Sequence, residues 1–351
     1  MTNHLNDLGF TPQLLEQWHG QGQPGRISGE THGLFRILTA DGEITGRLPG
    51  RTARALVGTL DHPVTGDFVL VDEDNMIRDI APRTSLMTRG DSFSASLTEG
   101  LVANCDYVFV VISLNQDFHE RKIRRFLIMA ASSDSTPVLI LTKADLNSSA
   151  ENEAYLSTAR ELWPGTILVT RQDETGSYQP ILDLLRGGKT GALLGASGVG
   201  KSTLINHLLG NERMKVSGIR NSDDQGRHTT THREIILIPG YGCLIDTPGL
   251  RRIDLIDDGQ AVEAVYGNIA AWMKQFRFTD CSHTTEPGCA VQAAIQRGDL
   301  TEAELEDFRT MQKEAMLYER KMRQREKERI KRTTHQKTAK PRQRSWNEQE
   351  W

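Results

Sequence analysis

The rhythm of hydrophobic positions changes twice along the chain. From Ile27 to Arg89, short apolar stretches such as GLFRIL, FVLV and MIRDI alternate with turn signals at Asp41-Gly42, Leu48-Pro49-Gly50 and Thr65-Gly66-Asp67. Runs this short, bounded by Gly, Pro and Asp, predict a small all-β unit of about five strands. A small barrel suits that count, and an OB-like barrel is one candidate beside an SH3-like one. After Leu101 come YVFVVISL, TPVLILT, GTILVT, GALLG, REIILI and GCLID, several of them spaced by helical stretches such as HERKIRRFLIMAA and NEAYLSTARELW. Strands that are apolar throughout and alternate with helices predict a mostly parallel sheet covered on both faces. Beyond Asp254 the pattern is helical. It closes with a long charged helix beginning at Thr301, where Thr301 and Glu304 have capping-box spacing and the early acidic, late basic charge suits the helix dipole. Past Lys331 the polar sequence TTHQKTAKPRQRSWNEQEW, with its proline, predicts a disordered tail.

These shifts divide the 351 residues into three expected units. Residues 1–91 hold an N-terminal extension plus an OB-like barrel, 92–252 an α/β domain, and 253–351 a mainly helical domain with a basic helix and tail. The fold class is therefore multidomain, a count that suits this length. No apolar run comes near the roughly 18 residues that cross a bilayer, so no membrane span or membrane partner is expected. The start, MTNHLNDLGF, does not read as a secretory signal, and four cysteines make no disulfide framework. A cytoplasmic monomer is the expectation. The net charge of −4 conceals a concentration of twelve Lys or Arg against two Glu between Arg320 and Arg344. Such a cluster is the footprint of a phosphate-backbone binder, or else a solvated cationic helix face.

The strongest local signal is Gly195-Ala196-Ser197-Gly198-Val199-Gly200-Lys201-Ser202-Thr203, a P-loop after a short strand and at the head of the helix STLINHLL. Its glycines let backbone N–H groups turn toward phosphate oxygens, Lys201 supplies a point charge to the β and γ phosphates, and the Ser202 hydroxyl can ligate Mg²⁺. About fifty residues on, Asp246-Thr247-Pro248-Gly249 ends an apolar strand. Asp246 is placed to hold Mg²⁺ through water, and the Gly249 N–H to meet a γ phosphate. Between the two lies Gly226-Arg227-His228-Thr229-Thr230-Thr231, in a polar stretch that composition predicts to be mobile. One of its threonines, Thr229 or Thr230 among them, is the expected second Mg²⁺ ligand.

Thr142-Lys143-Ala144-Asp145 follows the strand VLIL. A carboxylate there can accept both the ring N–H and the exocyclic amine of guanine, a donor pair that adenine lacks. The Lys143 stem can cover the base plane, and the Thr142 hydroxyl can tie this loop to the P-loop. In ordinary GTPases the base-reading element follows the phosphate elements; here it precedes them, so the domain is circularly permuted. Such re-joining is tolerated where the old termini lie close. Leu250 follows Gly249 where a water-orienting Gln is usual, which leaves that role to another group, and His228 is the candidate. Cys281, His283 and Cys289 offer three ligands at a spacing suited to zinc, one short of a structural site.

Taken in order, TKAD, GASGVGKS, GRHTTT, DTPG and DCSHTTEPGC resemble the circularly permuted, small-ribosomal-subunit-dependent GTPase family, RsgA, also called YjeQ or YloQ. HPVTGDFV and APRTSLMTRG resemble that family's OB barrel, and the likeness spans roughly Gly29 to Ala294. The resemblance implies a GTP- and GDP-binding assembly factor that docks on the small subunit, touches ribosomal RNA through barrel and metal-binding domain, and uses the switch histidine, His228, to position water. Members also carry Ser or Thr followed by Ala near Thr170, where this chain reads Val169-Thr170-Arg171-Gln172. They supply a further zinc cysteine five residues before Cys281, where this chain has Phe276. Water or another group then completes the zinc site, or no zinc binds, and the chain reads as a divergent paralogue.

Overall fold

The computed structural model describes residues 2–18, 21–56, 60–91, 94–116, 118–210, 233–247, 259–274, 286 and 288–338. Two short helices, α1 (Thr2–Asp7) and α2 (Pro12–Glu16), precede β1 (Gln23–Thr31), β2 (Leu34–Thr39), β3 (Gly42–Arg47), α3 (Gly50–Ala55), β4 (Phe68–Val71) and β5 (Ile77–Ile80). The five strands form an antiparallel sheet ordered β3-β2-β1-β4-β5. An isolated parallel bridge between Arg47 and Met76 brings its two edges together. Alternate residues Ile27, Phe35, Ile37, Val69, Val71 and Ile77 point inward as a separate small core, as period-two patterning requires. After this sheet, β6 (Leu86–Asp91) pairs with β7 (Ser94–Ala103) in a hairpin of its own.

The second sheet contains β8 (Tyr107–Ser113), β9 (Thr136–Thr142), β10 (Ile167–Val169), β11 (Lys189–Leu194), β12 (Glu234–Ile238) and β13 (Gly242–Asp246). Its order is β10-β9-β8-β11-β13-β12, parallel except for the β12–β13 pair. Helices α4 (Glu120–Ala131), α5 (Ser149–Leu162), α6 (Gln179–Leu185) and α7 (Lys201–Leu209) make the connections. Strand order decides where a ligand goes. The chain winds outward from β8 to β10, then returns to lay β11 on the other side of β8. Ligands of such sheets sit at that reversal, off the carboxyl ends of the strands.

Beyond the sheet come α8 (Gln260–Val265), α9 (Gly267–Lys274), α10 (Ala290–Arg297) and α11 (Glu302–Thr338). The capping box at α11 forms as expected: Glu304 N donates to Thr301 Oγ1 at 3.1 Å and Thr301 N to Glu304 Oε2 at 3.0 Å. The other oxygen of Glu304 meets Arg124 Nη2 of α4 at 3.1 Å, and Glu314 takes Arg125 Nη2 at 2.7 Å. Acidic early turns thus serve the dipole and fasten α11 to the basic face of α4. One expectation needs correction: the helix continues through Thr338 and does not give way to a tail at Lys331. Lys, Gln and Arg are good helix formers, and the first proline, which would break a helix, is Pro341. No helix among the described residues is long and apolar enough to cross a membrane.

Candidate nucleotide site

The carboxyl ends of β8, β9, β11 and β13 bring two distant motifs to one edge. Ser113 is in register with Thr142, and Leu193 with Asp246. Thr142 Oγ1 donates to the Val199 carbonyl in the P-loop at 2.5 Å. The Thr142–Asp145 segment and the P-loop are therefore directly joined.

The Thr142–Asp145 loop is braced on several sides. Lys143 takes a left-handed backbone conformation, φ 63°, uncommon for a residue with a side chain and a mark of functional loops. Asn152 Nδ2 donates to the Ala144 carbonyl at 2.8 Å and Asn147 Nδ2 to the Leu114 carbonyl at 2.7 Å. The Asp145 carboxylate accepts from the Gln172 backbone N–H at 3.1 Å, which orients one oxygen. The Arg171 side chain pairs with Asp173 while its backbone N–H donates to Ser177 Oγ at 3.0 Å. Gln172 was not picked out from sequence; only its position after β10 gives it the contact. A cleft of about 250 Å³ beside this loop is lined by Leu114, Ala144, Asn152, Val169 and Arg171 among others.

On the phosphate side, Gly200 has φ 103°, a left-handed conformation that residues with a side chain rarely adopt, so the turn into α7 calls for glycine. Lys201, 9% exposed, donates from Nζ to the carbonyls of Gly195 (3.0 Å) and Ala196 (2.9 Å). Burial lowers its pKa, opposed by the negative charge of Asp246. Asp246 ends β13. Burial raises its pKa to about 6, opposed by Lys201 and reinforced by Glu234. Among the described residues its buried Oδ1 has no hydrogen-bond partner. An orphaned buried carboxylate oxygen costs free energy unless a cation or its water shell engages it. Ser202 stands one residue into α7, so the donor set is that of a hard cation bound by oxygen. Thr247 Oγ1 donates to the Leu193 carbonyl at 2.5 Å, tying the end of β13 to the P-loop strand.

The comparisons agree with this geometry. The RsgA GTPase family profile matches residues 80–256, and a profile described as 50S ribosome-binding GTPase matches 190–331. A Lactiplantibacillus plantarum protein named small ribosomal subunit biogenesis GTPase RsgA 2 is 36% identical over 342 residues, 95% of each chain. The chain belongs to the RsgA GTPase family. A Streptomyces coelicolor member, small ribosomal subunit biogenesis GTPase RsgA, is 40% identical over 299 residues, 83% of this chain and 80% of that one. Among solved structures, YjeQ from Thermotoga maritima superposes with TM-score 0.62 at 22% identity, covering 84% of this chain and 98% of that one. YloQ, a circularly permuted GTPase, does so with 0.58 at 22% identity, over 85% and 96%. At that identity they speak for the fold alone, a circularly permuted GTPase fold with an N-terminal antiparallel sheet.

Several expected site residues, His228, Thr229, Thr230, Gly249, Cys281 and His283, lie outside the described residues, as do Leu250 and Phe276. Cys289 is buried at the start of α10. Among the described residues no cluster of three or more His, Cys, Asp or Glu is placed to hold a metal ion.

Proposed function

We propose that this chain hydrolyses GTP in the biogenesis of the small ribosomal subunit, the role its relatives' names give them. The single observation that supports the site best is the Thr142 to Val199 hydrogen bond, since it makes one pocket of motifs that lie 57 positions apart. In this reading Asp145 accepts the two guanine donors, Lys143 covers the base, and Ala144 sits in the loop that carries them. Residues Gly195 to Thr203 cradle the phosphates from the N-terminus of α7. Lys201 leaves its loop carbonyls to neutralise the β and γ phosphates. Ser202 and Asp246, with Thr229 or Thr230, hold Mg²⁺, which when bound spreads the charge that builds on the phosphates. Gly249 meets the γ phosphate and His228 orients the attacking water. Leu250 in place of Gln favours slow turnover by the chain alone.

The flanks supply the partner. The closed five-stranded unit within residues 1–91 is read as the OB-like barrel, residues 92–252 as the GTPase domain, and 253–351 as the helical unit. Barrel and basic α11 contact ribosomal RNA, in the cytoplasm and as a monomer. Zinc at Cys281, His283 and Cys289 is the finer reading of the helical unit, checked by the metal content of purified protein.

Single-turnover GTP hydrolysis measured with and without small subunits tests the whole. Slow hydrolysis alone and faster hydrolysis with subunits is the expected result. Tight GTP binding with negligible turnover under both conditions would make the chain a GTP-dependent RNA-binding switch instead.

A further inference from the structure

Glu234 opens β12 and faces the nucleotide edge of the sheet. In the antiparallel ladder it is paired with Asp246, which puts the two Cβ atoms on the same face about 5 Å apart. That face belongs to α7: the next residues in phase, Ile236, Ile238 and Leu244, pack in one cluster with Leu204, Ile205 and Leu208. The two carboxylates live in different surroundings. Asp246 is buried beside Lys201, whereas the Glu234 side chain is 40% exposed and reaches Arg36 Nη1 of β2 at 3.6 Å. Barrel and sheet are in close contact here. The place that a Cβ on Gly29 would occupy lies 3.1 Å from the Arg233 carbonyl and 2.8 Å from Arg36 Nη2. Arg233 Nη2 in turn donates to Glu99 Oε1 of β7 at 3.0 Å.

We propose that Glu234 is a positioning residue for the divalent cation of the nucleotide site, and that Arg36 sets how much of its charge the cation feels. The inference rests on the reading of Asp246 as a cation-holding residue. A second carboxylate beside Asp246 deepens the negative potential at the cation, and a guanidinium arriving from the barrel draws that carboxylate towards itself and away from the cation. Exposed ion pairs contribute little to the stability of a fold, so docking alone assigns this pair little work. Its value lies in placing a barrel cation, itself accessible to phosphate groups, one side chain away from the metal site. A phosphate-bearing partner that draws Arg36 away from Glu234 tightens the cation without touching the nucleotide, which is a coupling between two sites.

The experiment uses the full chain without ribosomal subunits. Affinity for a fluorescent, non-hydrolysable GTP analogue is measured against Mg²⁺ concentration in wild type, Glu234→Gln, Arg36→Gln and the double variant. Glu234→Gln should raise the Mg²⁺ midpoint roughly three- to ten-fold, and Arg36→Gln lower it by a similar factor. The double variant should match Glu234→Gln alone, because Arg36 acts through Glu234. Affinity in EDTA should be the same in all four. An unmoved midpoint in Glu234→Gln, an Arg36 effect that survives in the double variant, or a matching loss of affinity in EDTA overturns the proposal. Wild-type affinity indifferent to Mg²⁺ overturns the cation reading itself. Since subunits are absent, none of these outcomes bears on stimulation by the subunit, and failure of that stimulation leaves this result standing.

Discussion

Thr142 and Val199 are joined by a hydrogen bond of 2.5 Å from hydroxyl to carbonyl, and the same hydroxyl lies 3.3 Å from the Ile112 carbonyl. One side chain thus fastens the end of β9 to the P-loop and to the neighbouring β8. Chain order has no bearing on such a contact, so a permuted domain can build the same pocket as an unpermuted one.

Replacing Thr142 by Val removes that bond while keeping the volume. A buried neutral hydrogen bond contributes about 1 kcal/mol net, and the stranded Val199 carbonyl adds to the loss. Guanine-nucleotide affinity should fall roughly five- to thirty-fold, read by titration of a fluorescent GDP, with the fold retained by circular dichroism.

Asp145→Asn exchanges a double acceptor for an amide that mismatches the donors of guanine. Preference should move from guanine to xanthine nucleotides in a competition assay. Unchanged guanine selectivity would contradict the role proposed for Asp145.

Asp246→Asn should separate stability from function. Because burial holds the Asp246 pKa at about 6, above its ordinary 3.8, the folded chain binds this proton more tightly than the unfolded chain does. The contribution to stability is then complete below about pH 4 and is lost as pH rises through about 6. At pH 7.5 in EDTA the Asn variant should therefore be more stable in urea than wild type by about 3 kcal/mol, and its stability should lose this pH dependence. Its Mg²⁺-supported nucleotide affinity should drop at least about ten-fold, a trade common at functional sites.

Arg26 is fully buried. Its guanidinium donates to the carbonyls of Leu8 (2.7 Å), Gly66 (3.1 Å) and Asn104 (2.9 Å) and to Thr190 Oγ1 (2.7 Å), and lies 4.6 Å from the Phe68 ring centre. It ties the N-terminal antiparallel sheet, the segment before it and the P-loop strand together. Arg26→Met strands these acceptors and should cost about 3–5 kcal/mol in denaturant unfolding.

Deleting residues 320–351 removes the whole basic run. The salt dependence of RNA or subunit binding should flatten, since fewer counterions are released on association. An unaltered slope would make the run a solvated helix face.

The legible parts of the molecule were those whose chemistry is local. The P-loop, the DTPG sequence that ends a strand at Asp246, the Thr142–Asp145 segment and the Thr301 capping box each need particular residue types a few positions apart, so spacing along the chain reveals them. Arg26 was not legible. In GRISGE it reads as one more polar residue of an alternating strand, and its burial depends on acceptors at positions 8, 66, 104 and 190. Glu234 was hidden for a similar reason, because only strand register sets it opposite Asp246.

What the chain determines on its own is the set of elements and the identity of the reactive groups, because periodicity, capping and loop chemistry act over one or two turns. Tertiary structure alone decided which of them meet. Sheet order laid β11 beside β8, and register matched Glu234 with Asp246. Packing closed four distant acceptors around one guanidinium. Such pairings cost loop-closure entropy and are selected by burial of whole faces, a sum over many residues that no local stretch of sequence contains.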